Sequence, residues 1–125
     1  MIILDFRDRR PIYEQLIEKF QEVMMIGALE KDEKMPSVRQ LASELSINPN
    51  TVQRAYGQLE REGYIYSVPG KGSFVADISQ LKDVRREEIR RALEQTARRA
   101  FVSGISKDEF LEDAGKAYEK RREQE

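Results

Sequence analysis

The stretch INPNTVQRAYGQLEREGYI, residues 47–65, has the pattern of a short amphipathic helix whose outer face is polar. Asn48 is a favoured N-cap residue, and Pro49 suits the first helical position, where its missing N–H needs no partner. Gly63 suits the helix end, because glycine readily adopts the left-handed conformation found there. The apolar residues recur at the spacing of one buried face: Val52, Ala55, Tyr56 and Leu59. The predicted outer face holds the remaining residues: Asn50, Gln53, Arg54 and Gly57.

Two further helices are predicted before this stretch. The first covers about residues 11–26, with Pro11 in its first position and Gly27 as its stop. The second is short and begins at Ser37. Ser37 and Gln40 match a capping box, in which each side chain satisfies a backbone N–H of the other residue.

A β-hairpin is predicted after the third helix. Residues 64–68 are β-prone, the segment PGKG at 69–72 is a turn, and residues 73–75 form the returning strand. Helix, helix, turn, helix and hairpin is the order of a winged helix-turn-helix. The predicted fold class is therefore mainly α with a small β-hairpin, and this first domain covers residues 1–77.

Residues 78–125 are predicted to form a separate two-helix appendage. A long amphipathic helix covers about residues 79–103, Gly104 ends it, and Ser106 with Glu109 forms a second capping box. An isolated helix pair cannot bury its apolar stripes well, so a two-fold homodimer is expected. The predicted dimerisation residues are Leu81, Val84, Ile89, Leu93, Ala97, Phe101, Phe110, Leu111, Ala114 and Tyr118.

The polar face of the third helix predicts contact with DNA. In a helix-turn-helix this helix enters the major groove by its N-terminal end, and its first-turn N–H groups and dipole attract phosphate. Asn and Gln pair with adenine and Arg with guanine, so Asn50, Gln53 and Arg54 are predicted to contact bases. Thr51 is a candidate phosphate contact, and Lys71 at the hairpin tip is a candidate for contact with a phosphate or with the adjacent minor groove. The predicted DNA-binding set is Ser37, Arg39, Asn48, Pro49, Asn50, Thr51, Gln53, Arg54, Gly70, Lys71 and Gly72.

The expected partners are a double-stranded DNA operator and a second copy of the chain. A dimer of such domains reads a near-palindrome whose half-sites lie about one helical turn, or a multiple, apart. A protein-interaction module without specific DNA binding is the alternative, because winged helices also bind proteins. Residues 1–77 carry 10 Lys+Arg against 12 Asp+Glu, which favours that alternative slightly. The third helix argues against it, because its outer face lacks the aromatic or aliphatic anchors of a protein interface.

The composition argues against an enzyme, a metal site and a membrane protein. The 125 residues include neither Cys nor His, which removes thiolate nucleophiles, histidine bases and Cys/His zinc sites. The segment GKGS at 70–73 lacks the spacing of a phosphate-binding loop, and no cofactor is expected. No apolar run reaches the roughly 20 residues of a membrane helix, and the N-terminus lacks a signal peptide's order. A cytoplasmic protein is expected.

Residues 35–75, MPSVRQLASELSINPNTVQRAYGQLEREGYIYSVPGKGSFV, resemble the DNA-binding signature of GntR-type bacterial transcription regulators. The resemblance extends over about residues 10–76. It implies that the arginine at Arg39 and the residues opening the third helix contact bases and phosphates. It also implies a wing contact at Gly70.

The short C-terminal remainder resembles that of the YtrA-type subfamily, whose members dimerise through two helices and often repress ABC-transporter operons. A repressor role is thus implied, whereas a small-molecule effector stays unknown. Two departures from the family pattern stand out. Residues 31–34, in a predicted polar loop, replace a usual Pro-Gly turn, and Pro49 occupies a position that is often basic.

Some of these side chains also have ordinary structural roles. Tyr56 is expected in the core, with its hydroxyl free to touch a phosphate. The basic pairs at 85–86, 90–91 and 98–99 alternate with Glu87, Glu88 and Glu94, which predicts an exposed face of salt bridges rather than a nucleic-acid site.

Overall fold

The computed structural model describes residues 2–123, which fold into five helices and a two-stranded antiparallel sheet. The elements in chain order are α1 (Ile12–Met25), α2 (Val38–Leu45), α3 (Pro49–Arg61), β1 (Ile65–Val68), β2 (Gly72–Val75), α4 (Ser79–Val102) and α5 (Lys107–Glu123). The predicted fold class and the winged helix-turn-helix order are confirmed.

The first three helices enclose one apolar core. Leu16 and Phe20 of α1 are buried, and so are Val52 and Leu59 of α3. Phe20 meets Tyr56 edge to face, with ring centroids 5.7 Å apart and planes at 80°, a favoured arrangement of aromatic rings. Burial of large apolar side chains contributes roughly 1.5–3 kcal/mol each. This core therefore fixes α3 against α1.

The N-terminal arm is fastened to α1 by a buried amide. Gln15 is only 3% exposed. Its carboxamide accepts a hydrogen bond from the Asp5 N–H at 3.0 Å and donates to the Asp5 carbonyl at 3.0 Å. Pro11 has φ −53° and ψ 147°, which is extended backbone, so it precedes α1 instead of forming its first residue as predicted.

The segment at 32–35, within the predicted polar loop, pairs with the hairpin. The N–H of Met35 donates to the Ser73 carbonyl at 2.8 Å, and the Val75 N–H donates to the Glu33 carbonyl at 2.9 Å. Asp32 has φ +67°, a conformation that suits glycine best and that Asp tolerates better than most residues. Asp32 thus lies in a turn at the segment where the sequence departs from the Pro-Gly that the resemblance implies.

The chain divides into two compact units, of which the first ends at Lys82 and the second begins at Asp83. The sequence placed the boundary between residues 77 and 78. Ile78 is buried and Leu81 is half-buried, and both pack against the core of the first unit. The start of α4 therefore belongs to the first unit, and Leu81, which was predicted at the dimerisation surface, packs in part on that unit's core.

The second unit consists of the remainder of α4 and α5. Gly104 joins them with φ +79°, and the Ile105 N–H donates to the Ala100 carbonyl at 3.0 Å. Ser106 accepts a hydrogen bond from the Glu109 N–H at 3.1 Å, as one half of the predicted capping box requires. Within residues 2–123, no helix has the length and apolar character needed to cross a membrane.

Candidate nucleic-acid interface

The N-terminal end of α3 is capped by its own chain. The Asn48 side chain accepts a hydrogen bond from the Asn50 N–H at 2.8 Å, which confirms it as the N-cap, and Pro49 occupies the first turn as predicted. The Thr51 and Val52 N–H groups donate to the Asn48 carbonyl at 2.9 and 3.4 Å. Each of these first-turn N–H groups already has an acceptor within the chain, and the attraction of phosphate to this helix end stays a prediction.

The outer face of α3 has the predicted composition. Asn50, Gln53 and Arg54 are exposed, and Thr51 is half-buried. The predicted inner face is buried: Val52, Ala55, Tyr56 and Leu59. The exposed side chains carry the amide and guanidinium groups that form bidentate hydrogen bonds to base edges in the major groove.

Arg54 lies against an aromatic ring of α1. Its guanidinium carbon is 3.7 Å from the centroid of the Tyr13 ring, a close cation–π contact. The helical spacing of Tyr13 predicts a position in the apolar stripe of α1 and no further role. Helical spacing could not reveal the contact, because the two residues lie far apart in the chain and meet only through the packing of α1 on α3.

The start of α2 offers free backbone donors that α3 lacks. The Ser37 oxygen accepts a hydrogen bond from the Gln40 N–H at 3.1 Å. The Gln40 side chain donates instead to Glu44 at 3.2 Å, so the reciprocal half of the predicted capping box is wrong. Among the described residues, the N–H groups of Val38 and Arg39 have no acceptor. A helix start with free N–H groups suits a phosphate oxygen.

A cleft of about 520 Å³ separates this helix start from the hairpin. It brings together two predicted DNA-binding groups that are distant in sequence, Ser37 and the turn with Lys71, and it adds a residue that the sequence analysis missed, Lys34. Lys34 gave no local signal, because it stands in a run of mixed charges. Two ammonium groups and a hydroxyl at one cleft form a surface suited to a phosphate backbone.

The hairpin turn contains two glycines whose backbone has a positive φ angle. Gly70 has φ +77° and Gly72 has φ +120°, values that side chains with a Cβ rarely adopt. Pro69 before Gly70, with the Lys71 N–H donating to the Val68 carbonyl at 2.9 Å, matches a type II turn. Lys71 is exposed at the tip.

The cations of this surface are not neutralised by neighbouring carboxylates. Within the described part of the chain, Arg39, Arg54 and Lys71 form no ion pair. Arg10, by contrast, pairs with Asp8 and Glu18. The first unit has no excess of positive charge, so the free cations must act as a local patch.

The Tyr56 hydroxyl is not part of this patch. It donates to the Pro36 carbonyl at 2.7 Å, and the side chain is 4% exposed. Burial raises the pKa of the Tyr56 phenol. The predicted availability of this hydroxyl for phosphate is therefore wrong, and Tyr56 instead ties α3 to the segment before α2.

The second unit leaves most of its predicted apolar residues exposed. Ile89 is 60% exposed, Leu93 53%, Phe101 83% and Tyr118 72%. The remaining predicted residues of this unit differ in burial: Val84, Leu111 and Ala114 are exposed, whereas Ala97 and Phe110 are half-buried. A groove of about 420 Å³ runs between the helices and is lined by Ile89, Leu93, Phe110 and Ala114.

The arginine pairs of α4 lie beside carboxylates. Arg85 pairs with Glu88, Arg86 with Asp83, and both Arg90 and Arg91 with Glu87, at N–O distances of 3.7–4.0 Å. The predicted face of salt bridges is confirmed for these pairs. Glu94 stands four residues before Arg98, but among the described residues the two form no ion pair.

A helix-turn-helix with a hairpin wing and a polar third helix defines a winged-helix DNA-binding protein. Residues 12–75 match the bacterial regulatory proteins of the gntR family, and the chain belongs to that family. It is 36% identical over 114 residues to the HTH-type transcriptional repressor YtrA of Bacillus subtilis (strain 168), across 90% of this chain and 88% of YtrA. The predicted likeness to the YtrA-type subfamily is thus confirmed.

Solved structures show the same likeness. A GntR family transcriptional regulator from Listeria monocytogenes matches with a TM-score of 0.69 and 32% identity, over 89% of this chain and 98% of that one. The DNA-binding domain of AraR in complex with operator ORE1 matches with a TM-score of 0.52 and 30% identity, over 61% of this chain and 93% of that one. The protein is a DNA-binding transcription regulator, and the names of its family and relatives describe regulators and not enzymes.

Proposed function

We propose that this protein represses transcription by binding a near-palindromic operator as a homodimer. The observation that carries the proposal is the outer face of α3, where Asn50, Gln53 and Arg54 are exposed on a helix fixed by the core. The similarity to the repressor YtrA along most of both chains supports repression as the outcome. A repressor of this kind acts by occupying DNA that the transcription machinery needs.

The proposed base contacts come from α3. Asn50 and Gln53 present amides that suit adenine, and Arg54 presents a guanidinium that suits guanine. Asn48 uses its side-chain oxygen as the cap, which leaves its NH₂ group for a base or a phosphate. Pro49 contributes no donor and sets the start of the helix. Thr51 is proposed to contact a phosphate by its hydroxyl.

The proposed phosphate contacts surround the cleft between α2 and the hairpin. Ser37 keeps a hydroxyl hydrogen to donate, because its oxygen acts as an acceptor in the cap. Arg39 adds a guanidinium and a free N–H, and Lys71 adds an ammonium from the wing. Gly70 and Gly72 carry no side chains, which lets the turn approach the DNA closely. Contacts of this type supply affinity without base preference.

Dimerisation is proposed to cover the apolar side chains of the second unit. Residues 84–118 expose large apolar groups that a second copy would bury, and two-fold homodimers are the commonest soluble oligomers. A dimer places two copies of α3 on one face of the duplex, which requires a near-palindrome. Leu81 is outside this surface because it packs on the first unit.

The regulated genes are proposed from likeness to the YtrA type. An ABC-transporter operon and the protein's own promoter are the first operators to examine. A small-molecule effector is left open, since no described residue identifies one. The proposed location is the cytoplasm, where a bacterial regulator meets the chromosome.

The test is selection of bound sequences from a random double-stranded library by the full-length protein, with the mass of the complex measured in parallel. We expect a two-fold symmetric motif and a complex with two chains per duplex. Recovery of a non-symmetric site by one chain would overturn the homodimer. Recovery of no motif would overturn sequence-specific binding and favour a protein-interaction module.

A further inference from the structure

The stack of Arg54 on Tyr13 joins a residue of α1 to the proposed base-reading surface. The guanidinium carbon of Arg54 lies 3.7 Å from the ring centroid, while the Arg54 side chain remains exposed. None of the described carboxylates pairs with this guanidinium. The aromatic face is therefore the structural partner of the arginine.

A guanidinium carbon only 3.7 Å from the ring centroid fits a face-on contact, because an N–H pointing at the ring would hold the carbon farther away, and a face-on contact leaves the edge of the group available. The five N–H donors of arginine lie in the plane of the group, and bidentate pairing with guanine uses these donors. A carboxylate partner would compete for the same donors, whereas a ring beneath the plane does not. The contact thus holds Arg54 without consuming its hydrogen-bonding capacity.

The ring itself is a fixed platform. Tyr13 is half-buried and packs against the core of the first unit. The helix that carries it is anchored by Leu16 and Phe20, both buried. The neighbouring Gln15 ties the N-terminal arm to the same helix. A long flexible side chain that rests on such a platform has fewer conformations to lose when it binds DNA.

We propose that Tyr13 is a specificity-determining residue that positions Arg54, by its ring, for one base of the operator. The proposal rests on the proposed function, in which Arg54 reads a base. Tyr13 acts through Arg54 and not through a base contact of its own. The ring is the part of the side chain that matters, because the hydroxyl donates its hydrogen bond to the neighbouring Glu14 carboxylate, at 3.4 Å.

The experiment measures affinity for the selected operator and for its single-base variants, using the full-length protein and fluorescence anisotropy. The variants are Tyr13→Phe, Tyr13→Leu, Arg54→Ala and the double variant Tyr13→Leu/Arg54→Ala. We expect Tyr13→Phe to keep the wild-type base preference. We expect Tyr13→Leu to lose about three- to tenfold discrimination, only at the operator position where Arg54→Ala also loses it. Binding to random DNA should stay unchanged.

Two further measurements separate positioning from a merely structural role. Tyr13→Leu should have no effect on discrimination in the Arg54→Ala background, because no guanidinium remains to be positioned. The Arg54 side-chain NMR signals should show a ring-current shift in the wild type and in Tyr13→Phe, and should lose it in Tyr13→Leu. Thermal unfolding of each variant establishes that it is folded.

Several results would overturn the proposal. A uniform loss on all sequences would make Tyr13 a structural residue, and an equal effect with and without Arg54 would exclude action through Arg54. Unchanged base preference in Arg54→Ala, with the wild type still selecting an operator, would overturn the role of Tyr13 while the regulator function stands. If the wild type selects no sequence, the proposed function fails, and the role of Tyr13 in it fails too.

Discussion

Helices α3 and α4 both present arginines on exposed faces, but the guanidinium groups have different neighbours. On α4, Arg85, Arg86 and Arg90 each lie beside a carboxylate of the same helix. On α3, Arg54 rests on the Tyr13 ring and pairs with no described carboxylate. The difference teaches that the count of exposed cations does not locate an anion-binding surface. An anion-binding surface is located by cations whose N–H donors and charge are not already used by a neighbouring carboxylate.

The same contrast explains how a chain of nearly neutral charge can bind DNA. The formal net charge is −1, so no general attraction to phosphate is expected. Negative charge is placed beside four arginines of α4 and beside Arg10. The patch around α2, α3 and the hairpin is left with cations that have no such neighbours. The affinity for DNA therefore comes from cations that are separated from carboxylates in one patch, and not from the net charge of the chain.

The largest expected effect comes from disrupting the proposed dimer surface of the second unit while leaving the DNA-binding face of the first unit unchanged. Leu93→Asp with Phe101→Asp places charge on exposed apolar groups of the second unit. We expect a folded monomer whose operator affinity falls by about 100-fold or more, because two half-sites are no longer bound together. Analytical sedimentation measures the oligomeric state, and fluorescence anisotropy measures the operator affinity. Gln95→Asp, which adds one negative charge to the same helix beside Arg91 and Arg98, is the control for added charge away from the apolar residues. A stable dimer with full activity would contradict the proposed interface.

The second effect tests the comparison of arginines directly. Arg54→Ala should weaken binding to the selected operator by about 1–3 kcal/mol and relax one base position. Arg90→Ala is the matched control, because its guanidinium lies beside Glu87 on an exposed face. We expect that control to bind as the wild type does. Equal losses in the two variants, measured by competition binding, would show that surface charge alone governs affinity.

The third effect concerns the cap of α3. Asn48→Ala removes the acceptor of the Asn50 N–H and should lower the free energy of unfolding by about 1 kcal/mol. Urea unfolding followed by circular dichroism measures this change. Asn48→Asp keeps a cap acceptor, so its stability should match the wild type, while its added negative charge should weaken DNA binding. If Asn48→Asp bound DNA as tightly as the wild type, this helix end would lie away from phosphate.

The smallest effect concerns the wing. Lys71→Ala should weaken binding to operator and random DNA alike, by about threefold, and should reduce the salt dependence of the affinity by about one unit of slope. Lys116→Ala is the control, because Lys116 pairs with Glu112 at 3.2 Å. A salt titration of both variants provides the measurement. A loss confined to the operator would instead assign Lys71 to base recognition.

Much of the interface could be predicted from local sequence. The helix-turn-helix order, the cap at Asn48, the turn at Gly70 and the polar face of α3 all follow from short-range patterns. Caps and turns depend on neighbours within a few residues, and helical faces depend on a fixed repeat. Pro49 has no N–H, and Asn48 accepts from the N–H groups that follow it, so the first-turn donors of α3 have acceptors within the chain.

The sequence by itself determined the inner and outer faces of α3, since periodicity decides which side chains share a face of a helix. The tertiary structure alone decided which residues those side chains contact. Tyr13 reaches Arg54, Lys34 joins Lys71 at the cleft, and Leu81 packs on the first unit because elements far apart in the chain share one core. Such long-range contacts depend on how the helices pack in three dimensions, and no residue spacing along the chain predicts them.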